Sequence, residues 1–94
     1  TADVLVTIFS QELVDQSITY SSLLRSNNIN TELYLDPAAK MEKQLKYADK
    51  KQIPYVVIIG PEEASSNTVT LKNLKTREQQ TLPIDAAIKV LQNK

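Results

Sequence analysis

Two short, almost unbroken apolar runs, Val4 to Phe9 and Tyr55 to Gly60, constrain this chain more than any other feature of it. Each has the length of a strand and neither alternates, the pattern of a strand covered on both faces. Such strands need helices above and below them, so the runs predict a parallel sheet at the centre of an α/β fold. The segments between them read as those helices. Ser10 is placed to cap the first through its hydroxyl, Glu12 complements its dipole, and Leu13, Val14, Ile18, Ser21 and Leu24 fall at helical spacing up to a stop at Asn27-Asn28. Thr31 to Leu35 is more mixed, as expected of a strand nearer an edge. Asp36-Pro37 reads as the cap and first residue of a second helix. In that helix Met41, Leu45 and Ala48 share one face and Lys43, Lys46 and Lys50 another, until Pro54 ends it.

Past Gly60 the pattern changes. Glu62 to Asn67 reads as a polar loop, and Thr68 to Leu74 alternates as a half-buried strand does. Lys75-Thr76 turns the chain, and Arg77 to Leu82 returns as a polar edge strand. Pro83 then opens a last helix with Ile84, Ala87, Ile88 and Leu91 on one side. The expected fold is a five-stranded mixed sheet flanked by three helices in the order β-α-β-α-β-β-β-α, with right-handed crossovers joining the first three strands. The 94 residues form one domain, 1–94.

Composition removes most chemistry. With no cysteine and no histidine the chain lacks disulfides, thiol nucleophiles, the usual zinc ligands and the commonest general base. Its single glycine, Gly60, is too few for a phosphate-cradling loop. The first strand ends in Phe9-Ser10, without the acids a magnesium-holding receiver domain needs. Glu62-Glu63 has no visible partner and reads as a solvated loop rather than an acid and base pair. No catalytic residue and no metal site is therefore assigned. No apolar run approaches the roughly 20 residues that cross a bilayer, and Thr1-Ala2-Asp3 lacks the basic start of a secretory signal, so a cytoplasmic location is expected.

The net charge of zero hides a division. Before Lys40, Arg25 stands alone against Asp3, Glu12, Asp15, Glu32 and Asp36, a balance of −4; from Lys40 onward ten bases face six acids, a balance of +4. The second half is the candidate anion-binding half. Lys40, Lys43, Lys46, Lys50 and Lys51 form either the wet face of a helix or, with Lys72, Lys75 and Arg77 of the hairpin, a grip on one phosphate backbone. Tyr47 and Tyr55 are available for stacking on unpaired bases, although Tyr55 opens a buried strand and is better placed for packing.

Three stretches, Lys43-Gln44-Leu45-Lys46-Tyr47-Ala48-Asp49-Lys50, Ile53-Pro54-Tyr55-Val56-Val57-Ile58-Ile59-Gly60 and Val69-Thr70-Leu71-Lys72-Asn73-Leu74-Lys75-Thr76, closely resemble the anticodon-binding domain of class II aminoacyl-tRNA synthetases. The wording is nearest to the C-terminal domain of the histidine enzymes, and the likeness runs over essentially the whole chain. It implies a fragment of a larger chain that recognises the anticodon stem-loop of a tRNA, while an absent catalytic domain of a cytoplasmic homodimer attaches histidine using ATP and magnesium. No cofactor is implied for the fragment itself. The alternative is a synthetase-like regulatory or dimerisation module that does not aminoacylate. By motif, the resemblance points to Lys40 and Lys43 for phosphate or base contact, Glu63 as acceptor for a base amino group and Lys72 as donor, with Lys75 and Arg77 adding charge nearby. Gln52 and Arg77 stand where such domains commonly have glycine, which predicts left-handed backbone at both if the turns are kept.

Overall fold

The structure, a computed structural model, describes residues 2–93; Thr1 and Lys94, used above for the chain start and the charge balance, lie outside it. The strands are β1 (Val4–Val6), β2 (Thr31–Leu33), β3 (Tyr55–Ile58), β4 (Thr68–Asn73) and β5 (Gln79–Pro83), and the helices are α1 (Val14–Ser26), α2 (Met41–Lys50), α3 (Pro61–Ser66) and α4 (Ile84–Gln92). They form one sheet in the order β2-β1-β3-β4-β5, parallel across the first three and antiparallel at β3/β4 and β4/β5. This is the mixed α/β sheet expected, with a fourth, short helix added.

That helix, α3, occupies the segment read as a polar loop. Pro61 sits at its first position, the Glu63 carboxylate accepts the Gly60 amide at 2.9 Å, and Asn67 stops it in a left-handed conformation at φ 56°. Six residues with no apolar stripe leave no periodicity to read. Two other starts also shift. Asp36-Pro37 forms a turn instead of a cap, its Oδ1 accepting the Ala38 amide at 3.0 Å, and α2 begins at Met41 behind an extended Lys40. Ser10 makes no side-chain cap; a single 3-10 turn, Gln11–Leu13, intervenes before α1.

Strand parity divides the core in two. Val4, Val6, Val57, Val69 and Leu71 pack against Leu24 of α1 and Ala87, Ile88 and Leu91 of α4, while Leu5 and Val56 face Ala48 of α2 and Ile53. One sheet face thus has two helices and the other has α2 alone. On that second face α2 lies over β1 and β3 and makes contact with Tyr34, leaving a floor on β4 and β5 that follows from register: Lys72 opposite Val56 and Gln79, and Thr70 opposite Ile58 and Thr81.

The junction of β1 with α2 is fixed by Gln44, fully buried. Its Oε1 accepts the Ile8 amide at 2.8 Å, and its Nε2 donates to the Ile8 carbonyl at 2.8 Å and the Ala39 carbonyl at 3.0 Å. A side-chain amide thereby replaces a neighbouring strand where regular pairing ends. It explains why the apolar run to Phe9 outlasts β1. The residue before is held as firmly: Thr7 donates through both its amide and its hydroxyl to the Val57 carbonyl, each at 3.0 Å, and its own carbonyl accepts the Ser17 hydroxyl at 2.8 Å.

Gln52 and Arg77 are both left-handed, at φ 59° and 68°. Gln52 terminates α2 as Asn28 terminates α1, with the following buried isoleucine amide reaching back to the helix, Ile53 to Ala48 at 2.9 Å and Ile29 to Leu24 at 3.1 Å. Two outcomes are expected. Gln44→Leu should destabilise the chain by about 3 kcal/mol, because the Ile8 amide and carbonyl lose their partner inside the core, and chemical denaturation measures it. Gln52→Gly should stabilise it by about 1 kcal/mol in the same assay, by relieving left-handed strain.

Candidate nucleic-acid interface

The open floor is bounded at the C-terminal end of the parallel strands by α3. There Glu63 is held at both oxygens: Oε1 accepts the Gly60 amide at 2.9 Å and Oε2 the Thr70 hydroxyl at 2.6 Å, and Thr70 is linked onward to the Thr81 hydroxyl at 3.0 Å. Burial works against its ionisation, but the Thr70 hydroxyl and the backbone amides of Glu63 and Gly60 outweigh it and lower its pKa. A carboxylate has about four lone-pair sites, so two held bonds leave it able to accept from a ligand. Lys72 follows Thr70 by two residues on the same face, about 7 Å along the strand.

The cations predicted from sequence fall into two groups. Lys40 and Lys43 lie at the start of α2, which runs opposite to the parallel strands, and so at the Glu63 end; both are exposed. Lys75 and Arg77 lie in the β4–β5 turn at the other end, one α2 length or about 15 Å away. Lys75 there borders a hollow with Asp49, Gln52, Pro54 and Leu74. Lys72 stands between the groups. The turn keeps its shape around Arg77, whose amide donates to the Asn73 carbonyl at 2.8 Å, while Asn73 Oδ1 accepts the amides of Lys75 and Thr76 at 2.9 and 3.2 Å. Lys43 shares the sheet face of Lys72, but by i, i+4 spacing it projects from the α2 flank that carries Tyr47, toward β2.

Neither tyrosine offers a free ring to the floor. The Tyr47 hydroxyl donates to the Glu32 carboxylate, and its ring meets that of Tyr34 edge-on at 5.4 Å between centroids. The bond to Glu32, then burial and the Glu32 charge, raise its pKa. Tyr55 packs on the α1 and α4 side, as its place in β3 predicted. The aromatic beside the floor is Phe9, read in the sequence only as the end of an apolar run. It is 49% exposed, directly after the clamped Ile8. The residue that sequence reasoning passed over altogether is Gln44, a polar side chain on the apolar face of α2. That misplacement was its one visible signal.

The fold has known counterparts. The anticodon binding domain family matches residues 3–94, and the chain belongs to that family. It is 46% identical over 79 residues to the histidine–tRNA ligase of Porphyromonas gingivalis, covering 84% of this chain and 17% of that one, and 40% identical over 82 residues to that of Clostridium tetani, covering 87% and 18%. A crystal structure of histidyl-tRNA synthetase from Nostoc superposes with a TM-score of 0.93 at 28% identity, over 98% of this chain and 22% of that one. The chain therefore spans less than a fifth of the two ligases it matches in sequence. No helix among the described residues is long and apolar enough to cross a membrane.

Because the Glu63 pKa is lowered on folding, its contribution to stability is present above the ordinary carboxylate value and is lost as pH falls through the lowered one. Denaturation midpoints followed down through that acid range should fall less steeply for Glu63→Gln than for the wild type.

Proposed function

We propose that this chain is the tRNA anticodon-recognition part of a histidine–tRNA ligase, holding the anticodon stem-loop while the rest of the enzyme, a cytoplasmic homodimer using ATP and magnesium, attaches histidine. The observation that carries the reading is the floor beside α2, where an ionised acceptor, Glu63, lies at the end where Lys40 begins the helix and a donor, Lys72, stands on the same face about 7 Å along β4 from the Thr70 that Glu63 holds. The family and the histidine-enzyme relatives support it.

In this reading Glu63 accepts from the exocyclic amino group of an unstacked loop base and Lys72 donates to a ring nitrogen or keto oxygen. Lys40 and Lys43 meet phosphates of the loop, and Lys75 and Arg77 meet phosphates farther along the RNA. Base contacts set which loop is chosen and phosphate contacts set how strongly any RNA is held. The two sets separate experimentally. Lys72→Ala or Glu63→Gln should reduce the preference for a histidine-tRNA anticodon stem-loop over an unrelated one by roughly tenfold. Lys43→Glu or Lys75→Glu should weaken both RNAs alike and lower the slope of log affinity against log salt by about one.

Equal affinity of the wild type for the two stem-loops at moderate salt would contradict anticodon reading. In the full-length protein, Lys43→Glu with Lys72→Glu should lower aminoacylation of tRNA and leave dimerisation intact, whereas the regulatory or docking alternative predicts disturbed dimerisation with no aminoacylation to lose.

A further inference from the structure

The geometry points to Phe9 as a stacking platform for the same loop base that Glu63 reads, an inference that rests on the RNA-binding function just proposed. Every described residue of the run from Val4 to Ile8 is buried, and then Phe9 is half exposed. Its ring lies against Gly60, the only glycine of the chain. A methyl group on Gly60 would stand 3.0 Å from Glu63 Oε1 and 3.3 Å from Phe9 Cδ2 and Cε2, so ring and carboxylate converge on the space that the missing side chain leaves open.

This is what recognition of an unpaired base needs. A flat apolar surface holds the base by its face, and an acceptor beside the surface meets its polar edge. The ring has no polar group and carries no sequence information, so discrimination stays with Glu63. The platform is also mounted rigidly: Gln44 grips the amide and carbonyl of Ile8 and thereby fixes the backbone that carries Phe9, so little order remains to be imposed when a base arrives. Gly60 is used for close approach and not for an unusual backbone, since its φ is −94°.

The chain has no tryptophan, so Phe9→Trp installs a single indole that keeps the stacking surface and reports on it. With thermal melting used to confirm that the variants are folded, Phe9→Ala should bind the histidine-tRNA anticodon stem-loop roughly tenfold more weakly with an unchanged salt slope, since no charge is lost. The indole of Phe9→Trp should be quenched by the stem-loop and not by the same stem closed as a blunt duplex. Wild-type affinity in a folded Phe9→Ala together with an unquenched indole overturns the inference, as does an indole shielded by protein contact in the full-length enzyme. If the wild type discriminates between anticodons and Phe9→Ala changes nothing, stacking fails and anticodon reading stands. If the indole is quenched equally by both stem-loops, stacking stands and anticodon reading fails. Absence of RNA binding by the wild type ends both.

Discussion

The molecule turns on one buried amide. Gln44 ties the end of β1 to the start of α2 by three hydrogen bonds to main chain, in a position where no strand is available to pair. A polar group so placed is costly if any bond is lost, and all of them are made; among the described residues no buried side-chain polar atom lacks a partner. Both residues flanking the proposed RNA-binding end hang on this clamp. Phe9 follows the gripped Ile8, and Lys40 follows the gripped Ala39. A sheet edge alone would leave these two segments as independent loops.

From that junction follows the unequal cover of the sheet. Two helices cover most of one face, leaving Gln80 of β5 exposed on it, whereas α2, held over β1, cannot also reach β4 and β5. Strands β4 and β5 turn polar side chains, Lys72, Gln79, Thr81 and the buried Thr70, to the α2 face, and Val69, Leu71 and Leu82, with the exposed Gln80, to the other. Of the acids before Lys40, Asp3 precedes β1, Glu12 and Asp15 lie around the start of α1, and Glu32 and Asp36 lie in and just after β2; the one base there, Arg25, donates to the Thr31 carbonyl at 3.2 Å. Of the described bases from Lys40 onward, all but Lys89 of α4 belong to α2 and its ends or to the hairpin. A chain of zero net charge therefore carries its bases unevenly, and it is that local distribution that a polyanion senses.

Much of this was legible before any coordinates. Unbroken apolar runs at β1 and β3, helical stripes in α1, α2 and α4, and alternation in β4 are long-range demands of burial, and they define the sheet and its layers. The left-handed turns at Gln52 and Arg77 were expected from the resemblance to domains with glycine there, on the condition that the turns keep their shape, which they do at the cost of placing a side chain in a strained conformation. What escaped was decided by single side-chain hydrogen bonds, two of them local and one reaching another segment. α3 is made by Glu63 folding back on Gly60, the α2 start by Asp36 turning on itself, and the Tyr47 ring is claimed by Glu32 and Tyr34, thirteen or more residues away. Phe9 looked like core because the run that contains it is core. The change from 3% exposure at Ile8 to 49% at Phe9 shows where the core stops and a surface begins.

The most direct measurement is a backbone amide shift titration of the isotopically labelled chain with a histidine-tRNA anticodon stem-loop. The account predicts that the amides of residues 8–10, 39–43, 60–63 and 70–72 move together with one affinity, and that those of α1 and α4 stay in place. Shifts centred on α1 and α4, with the floor beside α2 unmoved, would contradict it.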